Sequence, residues 1–74
     1  GDAERRDIAK RLAVDSWIKP GMEVNTSHFG ILKVLKVNKK TVTLKGKFSI
    51  FTHDKIFISQ VKLKVVLVVL SNRA

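Results

Sequence analysis

Lysine is the residue type in this sequence whose chemistry stands out, since its ammonium group is a flexible point charge suited to phosphate. Bidentate reading of bases is the usual work of arginine, and the single arginine after residue 19 is Arg73. The lysines therefore predict binding to the phosphates of nucleic acid, with little sequence selectivity and a steep dependence on salt. The candidate contact residues are Lys33, Lys36, Lys39, Lys40, Lys45, Lys47, Lys62 and Lys64.

A second interpretation of these lysines stays open. Lysine also solvates the outer faces of strands and protects sheet edges from pairing with other chains. A high charge then serves solubility alone, although a smaller net charge would already suffice for that.

The positive charge is confined to one part of the chain. The 74 residues carry 15 Lys and Arg against 6 Asp and Glu, a formal charge of +9. Residues 1–18 hold four basic and four acidic side chains, whereas residues 19–74 hold eleven basic and two acidic ones. This division predicts two elements with different roles. Residues 1–18 are expected to form a helix that is a linker or the end of a longer helix, and residues 19–74 a basic module that attracts polyanions.

The aromatic side chains offer base stacking as a second kind of contact. Phe48 and Phe51 have opposite parity in one expected strand, so we expect one of them to face outward. Phe48 is the candidate, because a phenylalanine beside Lys45 and Lys47 can stack on a base. Packing in the core is the alternative for any single phenylalanine.

Residues for catalysis and metal binding are sparse. The sequence has two histidines, His28 and His53, and no cysteine, and two isolated histidines rarely hold a metal. Asp54 follows His53, but the sequence has no nucleophile-elbow motif that would support a Ser-His-Asp catalytic site. We expect Asp54 to shape a turn. Gly-rich nucleotide-binding loops are also missing from the sequence. We therefore expect no enzyme activity, no metal and no cofactor.

A helix is expected at residues 3–18, because no Gly or Pro interrupts a run of good helix formers. Pro20 and Gly21 are expected to end it, and Trp17 and Ile18 to dock it onto the rest of the chain. Its apolar face is predicted from spacings of three and four residues: Ile8, Ala9, Leu12, Ala13 and Ser16.

Short strands separated by turn residues are expected from Gly21 onward. The predicted strands span residues 22–27, 31–37, 41–45, 48–52 and a last strand or strand pair within 56–70. The apolar residues of 31–37 occupy both parities, which indicates a strongly bent strand that belongs to two sheets. In the strand at 41–45, Val42 and Leu44 are expected to face inward.

Turn residues are expected to join these strands. Gly30 marks a bend or bulge, and Asn38 supplies a left-handed residue at the hairpin tip 38–40. A two-residue turn is predicted at 46–47, and a turn with one 3₁₀ element at 53–55. Five short strands in this order predict a small barrel, because closure removes exposed edges.

The last expected strand is apolar on both faces over residues 66–70. Such a strand must be covered, since an exposed apolar strand promotes aggregation. We expect the N-terminal helix to cover it, and a homodimer interface is the alternative.

Three stretches carry a resemblance to a known family: Ile18-Lys19-Pro20-Gly21-Met22-Glu23-Val24, Gly30-Ile31-Leu32-Lys33-Val34-Leu35-Lys36-Val37, and the following Asn38-Lys39-Lys40-Thr41-Val42-Thr43-Leu44. Together they resemble KOW and related SH3-like barrels over residues 18–63. The resemblance implies a five-stranded SH3-like barrel that binds DNA, RNA or protein, often as a module of a larger machine. The loop 25–29 lacks the additional glycine and basic residues of KOW sequences, which favours DNA over RNA.

The predicted fold class is thus mainly β, with an N-terminal α-helix followed by a five-stranded SH3-like barrel. The predicted partner is nucleic acid, DNA rather than RNA, and the alternative is a protein–protein or dimerisation module of the same fold. The N-terminus is charged and the longest apolar run, 65–70, is far too short to span a bilayer. We therefore expect no membrane contact and an intracellular location, cytoplasmic, nucleoid or nuclear.

Overall fold

A computed structural model describes residues 1–62 of the chain. The elements are helix α1 (Asp2–Asp15), strands β1 (Glu23–Thr26), β2 (Gly30–Val37), β3 (Thr41–Lys45), β4 (Ile50–Asp54) and β5 (Ile58–Gln60), and a 3₁₀ helix at Lys55–Phe57 between β4 and β5. The predictions for Lys64 and for the cover of residues 66–70 lie outside the described residues. Among residues 1–62, no helix is both long enough and apolar enough to cross a membrane.

The five strands form one antiparallel sheet in the order β4-β3-β2-β1-β5. This confirms a mainly β chain in which a helix precedes five strands. The sheet is open, however, and does not close into the predicted barrel. β5 is only three residues long and pairs with β1, so within residues 1–62 it forms no ladder with β4 at the other edge.

The bend predicted for the second strand is a bulge at Leu35. The register between β2 and β3 shifts between Val34 and Lys36, so one extra residue sits on β2. Val34 before the bulge and Val37 after it both pack on the core, although their parities differ. Gly30 is not the bulge; it opens β2 with a φ of +73°, a value that favours glycine.

The core lies on one face of the sheet. It comprises Val24 of β1, Val34 of β2, Val42 and Leu44 of β3, and Ile58 of β5, closed by Val14 and Ile18. In β3 the buried side chains alternate with outward Thr41, Thr43 and Lys45, as the sequence predicts. We call the side of the sheet that turns away from this core the outer face.

Helix α1 docks through a different face from the predicted one. Ile8 and Leu12 are 51% and 63% exposed, whereas Val14 is buried and Arg11 half-buried. The helix ends at Asp15, and the predicted docking by Ile18 is confirmed by its burial. Two ion pairs at the end of the sheet set this orientation. Arg11 pairs with the last residue of β4, Asp54, and Asp15 pairs with the residue after it, Lys55.

The β3–β4 connection is a four-residue loop and not the predicted two-residue turn. The Gly46 N–H donates to the Ser49 carbonyl at 2.8 Å. The fourth strand consequently begins at Ile50, two residues later than predicted, and His53 pairs with Val42 in the ladder. The 3₁₀ helix follows at Lys55–Phe57, after the predicted turn at 53–55.

The β2–β3 connection uses Asn38 differently from the prediction. Within residues 1–62, no residue other than glycine has a positive φ, so Asn38 is not left-handed. Its side-chain amide instead donates to the hydroxyl oxygens of Thr41 and Thr43, each at 3.1 Å. The asparagine thus ties the hairpin tip to β3 by its side chain.

We expect Gly46→Ala to lower the free energy of unfolding by about 1–3 kcal/mol, the usual cost of forcing extra atoms into a packed site. A Cβ at this position would lie 2.8 Å from Phe51 Cε1 and 2.9 Å from the Ser49 carbonyl oxygen. Urea unfolding followed by circular dichroism measures the change. Lys47→Ala, in the same loop but exposed, is the control, and equal midpoints for the two variants would contradict the expected clash.

Candidate nucleic-acid interface

Three of the predicted lysines share the outer face of β2 and β3. Lys33 and Lys45 stand directly opposite each other in the antiparallel ladder, and Lys36 stands opposite Thr43. All three lysines are exposed. Directly opposed residues have Cβ atoms about 4.5–5.5 Å apart, and like charges in such a pair repel. An anion bound between Lys33 and Lys45 would relieve that repulsion.

Little negative charge offsets these outer-face lysines. Glu23 of β1 is the cross-strand neighbour of Lys33, but within residues 1–62 none of the three lysines belongs to an ion pair. Residues 63–74 contain no Asp or Glu in their sequence, so their side chains add no carboxylate either. Among the cross-strand neighbours of these three lysines, Glu23 is therefore the one carboxylate beside three ammonium groups.

The remaining predicted lysines are distributed around this face. Lys39 and Lys40 are exposed at the β2–β3 loop, and Lys47 is exposed at the β3–β4 loop, so they flank β3 at its two ends. A five-residue strand spans about 17 Å. Lys62 lines a separate groove between α1 and β5 and does not belong to this group of lysines.

Lys55 contributes to the charge count but not to the surface. Its side chain is 2% exposed, and its ammonium donates to Asp15 of α1 and, at 2.9 Å, to the Lys39 carbonyl oxygen. Sequence reasoning missed this pair, because 40 residues separate its two members.

Asp54 is engaged by the helix in a similar way. The Arg11 guanidinium donates to both carboxylate oxygens, at 3.1 and 2.8 Å, and this contact holds the pKa of Asp54 below its usual value. Asp54 also accepts from the Ile56 N–H, which confirms its predicted role in shaping the turn. Because Asp54 faces Arg11, it does not neutralise the outer-face lysines.

A cluster of five rings forms beside the sheet and was not predicted. His28 and Phe29 come from the β1–β2 loop, Phe51 and His53 from β4, and Phe57 from the 3₁₀ helix. Neighbouring ring centroids lie 5.1–6.3 Å apart, mostly edge to face. The sequence did not indicate this cluster, because the fourth strand was predicted two residues too early and His53 was therefore assigned to a turn.

The two histidines of this ring cluster touch each other. His28 Nδ1 lies 3.4 Å from His53 Nε2. Partial burial, and then the nearby His28, lower the pKa of His53, while Asp54 opposes the shift. Among residues 1–62, no three His, Asp or Glu side chains group closely enough to hold a metal ion.

We expect acidification from pH 7 to pH 5 to weaken the fold through His53. A lowered pKa in the folded state means that the unfolded chain binds more protons below about pH 6.5, so stability falls as pH drops through the folded pKa. Urea midpoints at the two pH values measure this effect, and His53→Gln should reduce the difference. An unchanged difference in His53→Gln would contradict the prediction. Asp54 does not interfere, since its contribution is lost only at more acidic pH.

A pocket of about 460 Å³ opens between the ring cluster and the β3–β4 loop. Phe29, Leu32, Phe48 and Phe51 line it, and Phe29 and Phe48 are the more exposed of its rings. Phe48 is 92% exposed, and Lys47 Nζ lies 5.5 Å from the centre of its ring. The outward position predicted for Phe48 is confirmed, although the residue lies in the loop and not in a strand. We call this cavity the Phe29–Phe48 pocket.

No protein-family model matches this chain, and neither a curated protein nor a solved structure does. The features of this chain that bear on its function are thus the geometry of the lysines and of the rings.

Proposed function

We propose that this chain binds nucleic acid, with DNA preferred over RNA, by contacting phosphates through the outer-face lysines Lys33, Lys36 and Lys45. The observation that carries the proposal is the direct opposition of Lys33 and Lys45 on an exposed face with a single nearby carboxylate. A protein normally separates like charges in a ladder, because they destabilise the pair. A phosphate bound there makes the arrangement favourable.

The lysines along β3 form a stripe, with Lys45 on the strand and others at its two ends. This stripe supports binding to a polyanion over binding to a single anion. Lys39 and Lys40 lie at one end of β3 and Lys47 at the other. A stripe of about 17 Å passes several phosphates, since one strand of a duplex carries a phosphate every ~3.4 Å along its axis. The absence of arginine from residues 19–62 supports contact with the backbone over reading of bases.

The strand order gives further support to the SH3-like resemblance on which a binding role rests. Four strands form a meander, and β5 returns beside β1 after a 3₁₀ helix. The module would serve inside the cell, where it meets DNA.

Fluorescence anisotropy with a labelled 20-base-pair duplex tests the proposal. We expect a dissociation constant of about 10⁻⁴–10⁻⁶ M near physiological salt, and much tighter binding at low salt. A duplex RNA of the same sequence should bind more weakly. Binding that is missing at low salt, or that does not change with salt, would remove the proposal.

A further inference from the structure

We propose that the Phe29–Phe48 pocket takes one unpaired nucleobase, so that single-stranded nucleic acid gains a contact that a duplex lacks. This inference rests on the proposed function and names the strand form that fits the site best. The occupant is a nucleotide, whose flat base enters the pocket while its phosphate faces lysine.

The walls of the pocket have the chemistry of a stacking site. Phe48 projects from the β3–β4 loop almost fully exposed, and Phe29 on the β1–β2 loop is 58% exposed. Phe29 packs edge to face against Phe51, whose ring centroid lies 5.1 Å away at an interplanar angle of 63°. Aromatic faces presented in this way stack on any base, because every base has a π face.

The loop that carries Phe48 is itself held in place. The Gly46 N–H bonds to the Ser49 carbonyl, and glycine at position 46 leaves room for the Phe51 ring. A held loop loses less conformational entropy when a ligand binds. The exposed ring is therefore presented to a ligand with little reordering.

Positive charge next to the pocket favours a nucleotide over an apolar peptide. Lys47 lines the pocket, and its ammonium lies near the Phe48 ring. Lys45, two residues earlier, belongs to the outer-face lysines and stands opposite Lys33. The pocket itself opens on the core side of the sheet, since Leu32 and Phe51 pack on the core, so the phosphate of a base held there meets Lys47 at the end of β3.

Duplex bases cannot enter this pocket without leaving their stack. Extrusion of a paired base costs a few kcal/mol, whereas the bases of a single strand are already free to unstack. We therefore expect the two rings to add affinity for single strands only, and the lysines to add affinity for both forms.

Anisotropy titrations at low salt with a 12-nucleotide oligo(dT) and a duplex of equal length test the inference. Phe48→Ala and Phe29→Ala should each weaken binding of oligo(dT) by about 5- to 100-fold, the range for loss of one stacked base, and change duplex binding by less than about twofold. Leu12→Ala is the control, since Leu12 is an exposed apolar residue of α1 outside the pocket. Phe48→Trp should retain the affinity, and oligo(dT) should quench its indole emission beyond any change that Trp17 shows in the wild type.

The outcomes separate the two proposals. If neither oligo(dT) nor the duplex binds the wild-type chain at low salt, the proposed function fails and the inference fails with it. If both bind and the two alanine variants bind oligo(dT) as the wild type does, the pocket takes no base and the lysine proposal stands. Indole emission of bound Phe48→Trp that falls no further than the Trp17 emission of the bound wild type would likewise overturn the inference.

Discussion

Replacing Lys33, Lys36 and Lys45 together by glutamine is expected to weaken binding to duplex DNA by about two orders of magnitude at about 0.1 M salt. Each phosphate contact contributes about 0.9 to the slope of log K against log salt, so three lost contacts lower that slope by about 2.7. The fold should survive, because all three side chains are exposed and Lys33 and Lys45 repel each other. Anisotropy titrations at several salt concentrations give both quantities.

The matched control removes the same charge from the helix. Arg5, Arg6 and Lys10 are exposed on α1, and their replacement by glutamine changes the net charge by the same three units. If binding depends on the outer face, the helix variant keeps most of the affinity and the slope. Equal losses in the two variants would show that overall charge, and not this face, attracts the DNA.

The second large effect concerns stability. We expect Asp15→Asn to lower the free energy of unfolding by about 2–3 kcal/mol, because it leaves the buried Lys55 ammonium with neutral oxygen acceptors and no carboxylate. The cost stays below the ~3–5 kcal/mol of a fully buried pair, since the Asp15 side chain is 40% exposed and water can replace part of the contact. The whole free energy of unfolding of a small domain is only about 0.05–0.15 kcal/mol per residue, so this loss is a large fraction of it.

A double-mutant cycle with Lys55→Met isolates the charge effect. Methionine keeps an unbranched apolar stem in the buried site and removes the ammonium, so the double variant should recover most of the stability that Asp15→Asn loses. Urea unfolding of the four proteins at pH 7 gives the coupling. A change of less than about 0.5 kcal/mol in Asp15→Asn would contradict the account, as would additive losses in the double variant.

The alternation of apolar and polar residues carries the part of the fold that sequence can predict. In β3, Val42 and Leu44 alternate with threonines, and both the element and its faces agree with the prediction. The mixed parity of residues 31–37 correctly indicated a distorted strand, but its cause is the bulge at Leu35 and not, as predicted, a strand shared by two sheets. Such local patterns suffice, because they reflect contacts between adjacent strands.

Long-range polar contacts carry the part that sequence could not predict. Ile8 and Leu12 have the spacing of a docking face. The ion pairs of Arg11 with Asp54 and of Asp15 with Lys55 instead orient the helix so that its Val14 side chain faces the core. The ring cluster depends likewise on the register of β4, which is set by a four-residue loop. Neither partner choice nor register is encoded in the periodicity of one segment.

The site shows the same division. The sequence predicts exposed lysines at 33, 36 and 45, but it does not reveal that Lys33 and Lys45 are cross-strand neighbours, since the turn between β2 and β3 fixes that register. It counts Lys55 in the excess positive charge of residues 19–74 and gives no sign that this ammonium is buried. The opposed pair, which carries the proposal, emerges only from the sheet.

The most direct test of the central claim is an NMR titration of the ¹⁵N-labelled chain with an unlabelled DNA duplex at low salt. We expect amide shifts to concentrate on β2 and β3 around Lys33, Lys36 and Lys45, with smaller changes in the two flanking loops, and we expect added salt to reverse them. Shifts confined to α1 and β5, or no shifts at saturating DNA, would contradict the claim that the outer face of this sheet binds phosphate.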